Sequence, residues 1–118
     1  MRPSRSYEAQ YHRLTMKIDA LWPGRHADAA FDAGDVAESE RWTGLYLADE
    51  NTGMNVADAI GRAPSTAADW KLMVQCLYSV LDGHGFVLRK GGKLIDTVAE
   101  RAERGRQVHG DPEGQGGA

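Results

Sequence analysis

The chain has 118 residues, of which 42% are hydrophobic and 26% charged, and this composition is typical of one globular domain. No apolar run approaches the roughly 20 residues of a membrane-spanning helix. The basic N-terminus has no apolar stretch behind it, so we predict neither a signal peptide nor a membrane anchor. The single cysteine, Cys76, excludes an intramolecular disulfide. Because it lies in an apolar segment, we expect a buried, inert thiol and a cytoplasmic protein.

The net charge of −3 is unevenly distributed along the chain. Residues 26–60 carry one basic residue, Arg41, against eight acidic residues. Residues 1–25 carry five basic and two acidic residues, and residues 83–106 carry six basic and three acidic ones. The acidic middle would repel nucleic acid, whereas the two flanks could attract it.

The N-terminal third contains one strongly amphipathic segment. Residues 6–22 place apolar and aromatic side chains at alternating spacings of four and three, which predicts a helix. Ser6 is the expected N-cap, and Pro23-Gly24 are expected to end the helix. Residues 25–35 are small and acidic, and they fit either a helical turn or a loop.

The acidic middle is less clearly patterned. Residues 36–48 favour a helix, with a strand at 43–48 as the alternative because Gly44 weakens the helical pattern. Residues 49–53, DENTG, have the composition of a turn or helix end. We therefore expect Asn55 to cap a short helix over 55–61.

The best helical pattern in the chain covers residues 65–82, after a cap at Ser65 or Thr66. Its apolar residues extend around most of the cylinder, which is typical of a helix that is central in a core or shared with a partner. Residues 86–95 form two apolar runs around Lys-Gly-Gly-Lys and predict a β-hairpin.

The C-terminal part is charged and then glycine-rich. Residues 97–106 predict a short charged helix, and residues 107–118 a flexible tail. The predicted fold class is mainly α with one small β-hairpin, in a single domain over residues 1–106.

Residues 38–96 resemble a winged helix-turn-helix domain. Ala57 falls where that family prefers a small residue, and Gly61 follows four residues later, where the turn requires a positive φ. Val56 and Ile60 would point into the core, and Trp70 would anchor the second helix. The resemblance implies a winged-helix-like fold with an extra N-terminal helix at 6–22, a helix-turn-helix over 55–82 and the hairpin as the wing.

The resemblance implies that the chain is a small, non-enzymatic regulatory protein that binds duplex DNA. The second helix would present its N-terminus to phosphates or base edges, and the wing would reach the DNA backbone or minor groove. The candidate nucleic-acid-binding residues are Arg62, Ser65, Thr66, Lys71, Arg89, Lys90 and Lys93. The alternative interpretation of the hairpin is that its basic residues are merely solvated.

A second function class is an acidic protein-binding module, such as an inhibitor or accessory factor encoded by phages or other mobile elements. Its partner would be a basic protein, and the candidate interaction residues are Asp49, Glu50, Leu77 and Tyr78. The broad apolar surface of helix 65–82 also predicts a homodimer.

The sequence contains no pattern that predicts an enzyme, a metal site or a cofactor. The histidines show no spacing of three or four residues that would place two on one helical face; they are His12, His26, His84 and His109.

Overall fold

A computed structural model describes the backbone of residues 6–109 and the side chains of residues 6–106. This part of the chain is mainly α-helical with one small β-hairpin, which confirms the predicted fold class. The chain divides into two compact units, the first ending at His84 and the second beginning at Gly85. The elements are α1 (Tyr7–Ala20), α2 (Pro23–Asp32), α3 (Val36–Tyr46), α4 (Ala48–Ile60), α5 (Ala67–Gly83), β1 (Phe86–Arg89), β2 (Lys93–Asp96) and α6 (Thr97–His109).

Helix α1 begins as predicted and ends earlier than predicted. The Ser6 hydroxyl accepts a hydrogen bond from the Ala9 amide at 3.1 Å, which confirms the N-cap. Helix α1 ends before Pro23-Gly24, as predicted, and Pro23 is also the first residue of α2. Proline suits that position, where its missing N–H would have no helical partner. Between the helices Trp22 adopts a left-handed conformation, with φ 55°.

Helices α2 and α3 pack against each other and are joined by a tight turn. The Asp35 amide donates to the Ala30 carbonyl, and the Gly34 amide donates to the Phe31 carbonyl, both at 2.9 Å. This is a Schellman motif, and its left-handed residue is Gly34, with φ 80°. Residues 25–35, whose sequence fits either a helical turn or a loop, are therefore mostly helical. The strand alternative for 43–48 is wrong, because α3 continues to Tyr46.

Helix α4 corrects the prediction for residues 49–53, which lie inside the helix and form no turn. Asn55 is an interior residue of α4 and not its cap. Ala48, Thr52 and Val56 follow at intervals of four and are all buried. Burial of this stripe outweighs the local preference of Asp, Asn and Gly for turns.

The turn after α4 agrees with the prediction. Gly61 has φ 75° and ends the helix. Helix α5 then begins after Thr66, so the chain order of two helices around a glycine turn, followed by a hairpin, is compatible with a winged-helix layout.

Helix α5 is the centre of the first unit, because both α1 and α4 pack against it. Its buried apolar residues include Met73, Val74, Leu77 and Leu81. Helix α1 contributes the buried stripe Tyr11, Leu14 and Ile18. The face that carries these residues of α5 is therefore buried, whereas Leu72 and Tyr78, on other sides of the helix, are 43% and 42% exposed. The homodimer stays a prediction.

The C-terminal end of α5 is fixed to α3 by a close approach. The imidazole of His84 lies where the Cβ of any larger residue at Gly44 would be. Its Nδ1 donates to the Val80 carbonyl at 2.8 Å, and the His84 carbonyl accepts from Arg41 Nη1 at 3.0 Å. Gly44, which weakened the helical pattern in the sequence, is therefore required by packing.

The second unit confirms the predicted hairpin and the helix after it. Strands β1 and β2 are antiparallel, with Val87 opposite Ile95 and Arg89 opposite Lys93. The Asp96 carboxylate accepts hydrogen bonds from the amides of Val98 and Ala99, in the first turn of α6, both at 3.1 Å. Helix α6 continues to residue 109, so the predicted tail over 107–118 begins too early. Residues 110–118 lie outside the described part of the chain.

Candidate functional site

The turn between α4 and α5 brings together three of the predicted nucleic-acid-binding residues around one carboxylate. Asp69 is only 4% exposed. It accepts hydrogen bonds from the amides of Ser65 and Thr66 at 2.9 and 3.0 Å. In return, the Asp69 amide donates to the Thr66 hydroxyl at 3.1 Å, which completes a capping box.

Arg62 closes this cluster. Its Nη2 donates to Asp69 Oδ1 at 3.1 Å, its Nη1 pairs with Asp69 Oδ2, and Nη1 also donates to the Ser65 hydroxyl at 3.1 Å. The hydrogen bonds from Arg62 and from the amides of Ser65 and Thr66 hold the pKa of the Asp69 carboxyl well below its usual range. Because the amides of Ser65 and Thr66 already donate to the Asp69 carboxylate, they are not available to a phosphate at the N-terminus of α5.

The hairpin carries the other predicted basic residues, and they differ in their contacts. Arg89 donates from both terminal nitrogens to the Glu100 carboxylate, at 3.0 and 2.9 Å. Lys90 and Lys93 are exposed and make no ion pair within residues 6–106. Two glycines in left-handed conformations form the turn between these lysines. The remaining predicted residue, Lys71, is exposed on α5 in the first unit.

The residues predicted for protein interaction are in three different environments. Leu77 is fully buried in the core of the first unit, so its assignment to an interaction surface is wrong. Tyr78 is 42% exposed, and Glu50 is exposed on α4. The Asp49 carboxylate accepts a hydrogen bond from the buried Tyr11 hydroxyl. Burial, followed by this bond, raises the pKa of Tyr11.

Cys76 is half-buried, which corrects the prediction of a buried thiol. It lines an apolar groove of about 360 Å³ between α4 and α5, together with Leu72, which is 43% exposed. The neighbouring helices cover only part of the circumference of α5 at this point.

The most exposed apolar side chains near the turn of α2 and α3 were not predicted as a site. Phe31 is 67% exposed and Val36 is 56% exposed. We call this surface the α2–α3 tip and define it by the residues Asp28, Phe31, Asp32, Asp35 and Val36, all of which are exposed. The sequence signal for it is a helical wheel over residues 23–32, which places Phe31 one turn after Asp28 and Asp32 one turn after Asp28. That signal requires the segment to be helical, and its small, acidic composition fits a loop equally well.

The tip has an unfavourable charge arrangement. Asp28 and Asp32 are four residues apart on α2, so the two carboxylates are neighbours on one helix face. Asp32 also lies in the last turn, beside the partial negative charge of the helix C-terminus. Neither residue makes an ion pair within residues 6–106. The tip is therefore negative, partly apolar and electrostatically uncompensated.

Comparisons with protein-family models, with curated proteins and with solved structures find no match for this chain. Among the described side chains, no group of three or more His, Cys, Asp or Glu residues is arranged to hold a metal ion. Within residues 6–109, no helix has both the length and the apolar character that a membrane crossing requires. The chemistry of the surfaces above is thus the basis for assigning a function.

Proposed function

We propose that this chain is a non-enzymatic protein-binding module that takes a basic, amphipathic segment of a partner on the α2–α3 tip. The observation that carries the proposal is Phe31, an aromatic side chain that is 67% exposed and lies one helical turn after Asp28, whose carboxylate makes no ion pair within residues 6–106. Exposed aromatic residues are common anchors of protein interfaces, because they bury a large area at a small entropic cost.

The chemistry of the tip selects the partner. A Lys or Arg side chain of the partner would compensate the repulsion between Asp28 and Asp32, and it would also face the negative end of the α2 dipole. An apolar side chain on the same partner face would cover Phe31. An acidic partner would add to the existing repulsion, so it is excluded by the same argument.

The expected contribution of the tip is modest. Burying the exposed part of Phe31 would contribute on the order of 1–2 kcal/mol, since burying a whole Phe side chain contributes roughly 1.5–3 kcal/mol. Each ion pair at this exposed surface would add about 0.2–1 kcal/mol. The tip alone therefore predicts weak binding that depends on salt.

The proposal is tested with a synthetic amphipathic helical peptide that has Leu on one face and Lys on the other. Its binding at low salt is measured by fluorescence anisotropy for the parent, Phe31→Ala and Asp32→Lys. Two matched controls alter exposed residues of α4, Met54→Ala for the apolar change and Asp58→Lys for the charge reversal. Asp32→Lys places a cation in the last helical turn, which the helix dipole favours, so folding should be retained.

We expect the two tip variants to weaken peptide binding by about tenfold, and the two α4 controls to leave it within about twofold. Equal weakening by Asp32→Lys and Asp58→Lys would mean that the peptide responds only to net charge, and the tip assignment would fail. If Phe31→Ala binds the peptide as tightly as the parent, Phe31 is not the anchor and the proposal fails.

A second candidate function is duplex-DNA binding by a winged helix-turn-helix, in which the hairpin is the wing. Lys90 and Lys93 favour it, because both are exposed at a glycine turn and neither is neutralised by a carboxylate within residues 6–106. The family assignment is likewise a proposal, supported by the chain order of α4, the Gly61 turn, α5 and the hairpin. The capped N-terminus of α5 argues against the helix itself as the phosphate contact.

The DNA proposal is tested by measuring affinity for random duplex DNA over a range of salt concentrations. The double change Lys90→Ala with Lys93→Ala should weaken binding and flatten the log–log salt slope by up to about 0.9 per lost phosphate contact. Lys17→Ala on α1 is the control and should leave the slope unchanged. No binding of the parent at low salt would reject this candidate.

A further inference from the structure

We infer that the basic segment that occupies the α2–α3 tip is the hairpin of a second copy of this chain. The inference rests on the proposed function of the tip and names the partner. The described residues of the first unit, 6–84, contain twelve acidic and six basic residues. Those of the second unit, 85–106, contain three acidic and six basic residues. The chain therefore carries both an acidic surface and a basic one that could meet between copies.

One face of the hairpin has the composition that the tip requires. Side chains alternate between the two faces of a strand, and residues opposite each other share a face. Val87 is opposite Ile95, and both are half-buried, so only part of each side chain is accessible. The next pair on that face, toward the turn, is Arg89 and Lys93, of which Arg89 is already bonded to Glu100 and Lys93 carries the uncompensated charge. We call this face, together with Lys90 in the turn, the basic hairpin face.

The two surfaces match in charge number and in spacing. The two hairpin lysines, Lys90 and Lys93, make no ion pair within residues 6–106, and Asp28 and Asp32 are the two unpaired carboxylates of α2 at the tip. On strand β2, Lys93 and Ile95 are two residues apart, which is about 7 Å. On α2, Asp28 and Phe31 are one turn apart, at about 5–6 Å between Cβ atoms. A lysine can thus reach a carboxylate while the apolar pair covers Phe31.

This contact joins two different surfaces, the tip of one copy and the hairpin of another. Two copies can exchange the contact reciprocally in a two-fold dimer, or each copy can use its hairpin on one neighbour and its tip on another. In either arrangement, the average mass should rise with concentration. Because the contact depends on exposed charges, high salt should dissociate it.

The experiment measures mass against concentration by sedimentation velocity, at low and high salt. Three charge variants are compared with the parent. The first is Asp28→Lys with Asp32→Lys, the second is Lys90→Glu with Lys93→Glu, and the third combines all four changes. The combined variant keeps the net charge of the parent and exchanges the charges between the two surfaces. Circular dichroism of each variant verifies that the helical fold is retained.

We expect the parent to exceed its monomer mass of 12.9 kDa at submillimolar concentration and low salt. Each double variant should weaken association at least about fivefold, and the combined variant should restore it. A parent that stays at the monomer mass overturns the inference, and so does a folded combined variant that associates no better than the double variants.

The two proposals fail in distinguishable ways. If the parent is a monomer and still binds the Leu-Lys peptide through Phe31, the self-association is wrong and the tip function is supported. If the parent associates but Phe31→Ala and the charge exchange have no effect, the association uses another surface, and this inference is wrong.

Discussion

Replacing Gly44 with alanine should destabilise the first unit, although alanine is the better helix former. A Cβ at this position would overlap the His84 imidazole, and even the Cε1 atom, the most distant of the three nearest ring atoms, would be 2.9 Å away. The ring cannot simply turn aside. Its Nδ1 is bound to the Val80 carbonyl at 2.8 Å, and the His84 carbonyl is bound to Arg41 at 3.0 Å.

The magnitude follows from opposing contributions. Alanine gains up to about 1 kcal/mol over glycine inside a helix. Forcing an extra methyl group into a packed site costs roughly 1–3 kcal/mol, and losing the bond between His84 and Val80 costs about 1 kcal/mol more. The net expectation is a loss of roughly 1–3 kcal/mol in the free energy of unfolding.

The assay is urea denaturation followed by tryptophan fluorescence and by circular dichroism. Gly53→Ala in α4 is a matched control, because Gly53 is also helical and no neighbouring atom lies within 4 Å of the place its methyl group would take. That control should raise the free energy of unfolding by up to about 1 kcal/mol. The two glycine variants should thus shift the denaturation midpoint in opposite directions.

A double-mutant cycle isolates the contact between Gly44 and His84. With His84→Ala already present, Gly44→Ala should become neutral or stabilising, because the ring that it would overlap is gone. The reasoning is refuted if Gly44→Ala is as stable as the parent, or if its cost is the same with and without the His84 side chain.

Three further predictions concern polar groups of the first unit. Thr52 is fully buried and its hydroxyl has no hydrogen-bond partner within the described residues, so Thr52→Val should raise the free energy of unfolding by about 1 kcal/mol, whereas Thr52→Ser should lower it in the same urea assay. The bond to Arg62 lowers the pKa of the Asp69 carboxyl in the folded state. The ionised carboxylate therefore adds to the free energy of unfolding at pH values above about 4, the ordinary pKa of aspartate, and this contribution is lost as the pH falls below that value. Asp69→Asn should therefore be less stable than the parent at neutral pH and should lose less stability on acidification; parallel pH curves would contradict this. The pKa of Tyr11 is raised, chiefly by burial, so the parent should lose stability as pH rises above about 10, and Tyr11→Phe should remove that alkaline loss in thermal unfolding.

The sequence by itself determined where most elements lie. Apolar periodicity predicted α1 and α5, and glycine placement predicted the hairpin and the left-handed turn at Gly61. Ser6 was recognisable as a cap, and so was the pair Ser65 or Thr66, because the cap hydrogen bond joins residues three apart in the chain; the structure has the cap at Thr66. Interactions of this kind are local, so the order of residue types is sufficient to predict them.

Only the tertiary structure decided which side chains are covered and which remain available. Leu77 and Phe31 are both apolar residues on helices, yet Leu77 is fully buried in the core and Phe31 is 67% exposed. The availability of Arg62 was likewise decided by the structure, because its guanidinium forms an ion pair with the Asp69 carboxylate, seven residues later. Exposure and charge pairing depend on which elements meet in space, and a helical pattern alone does not specify its neighbours.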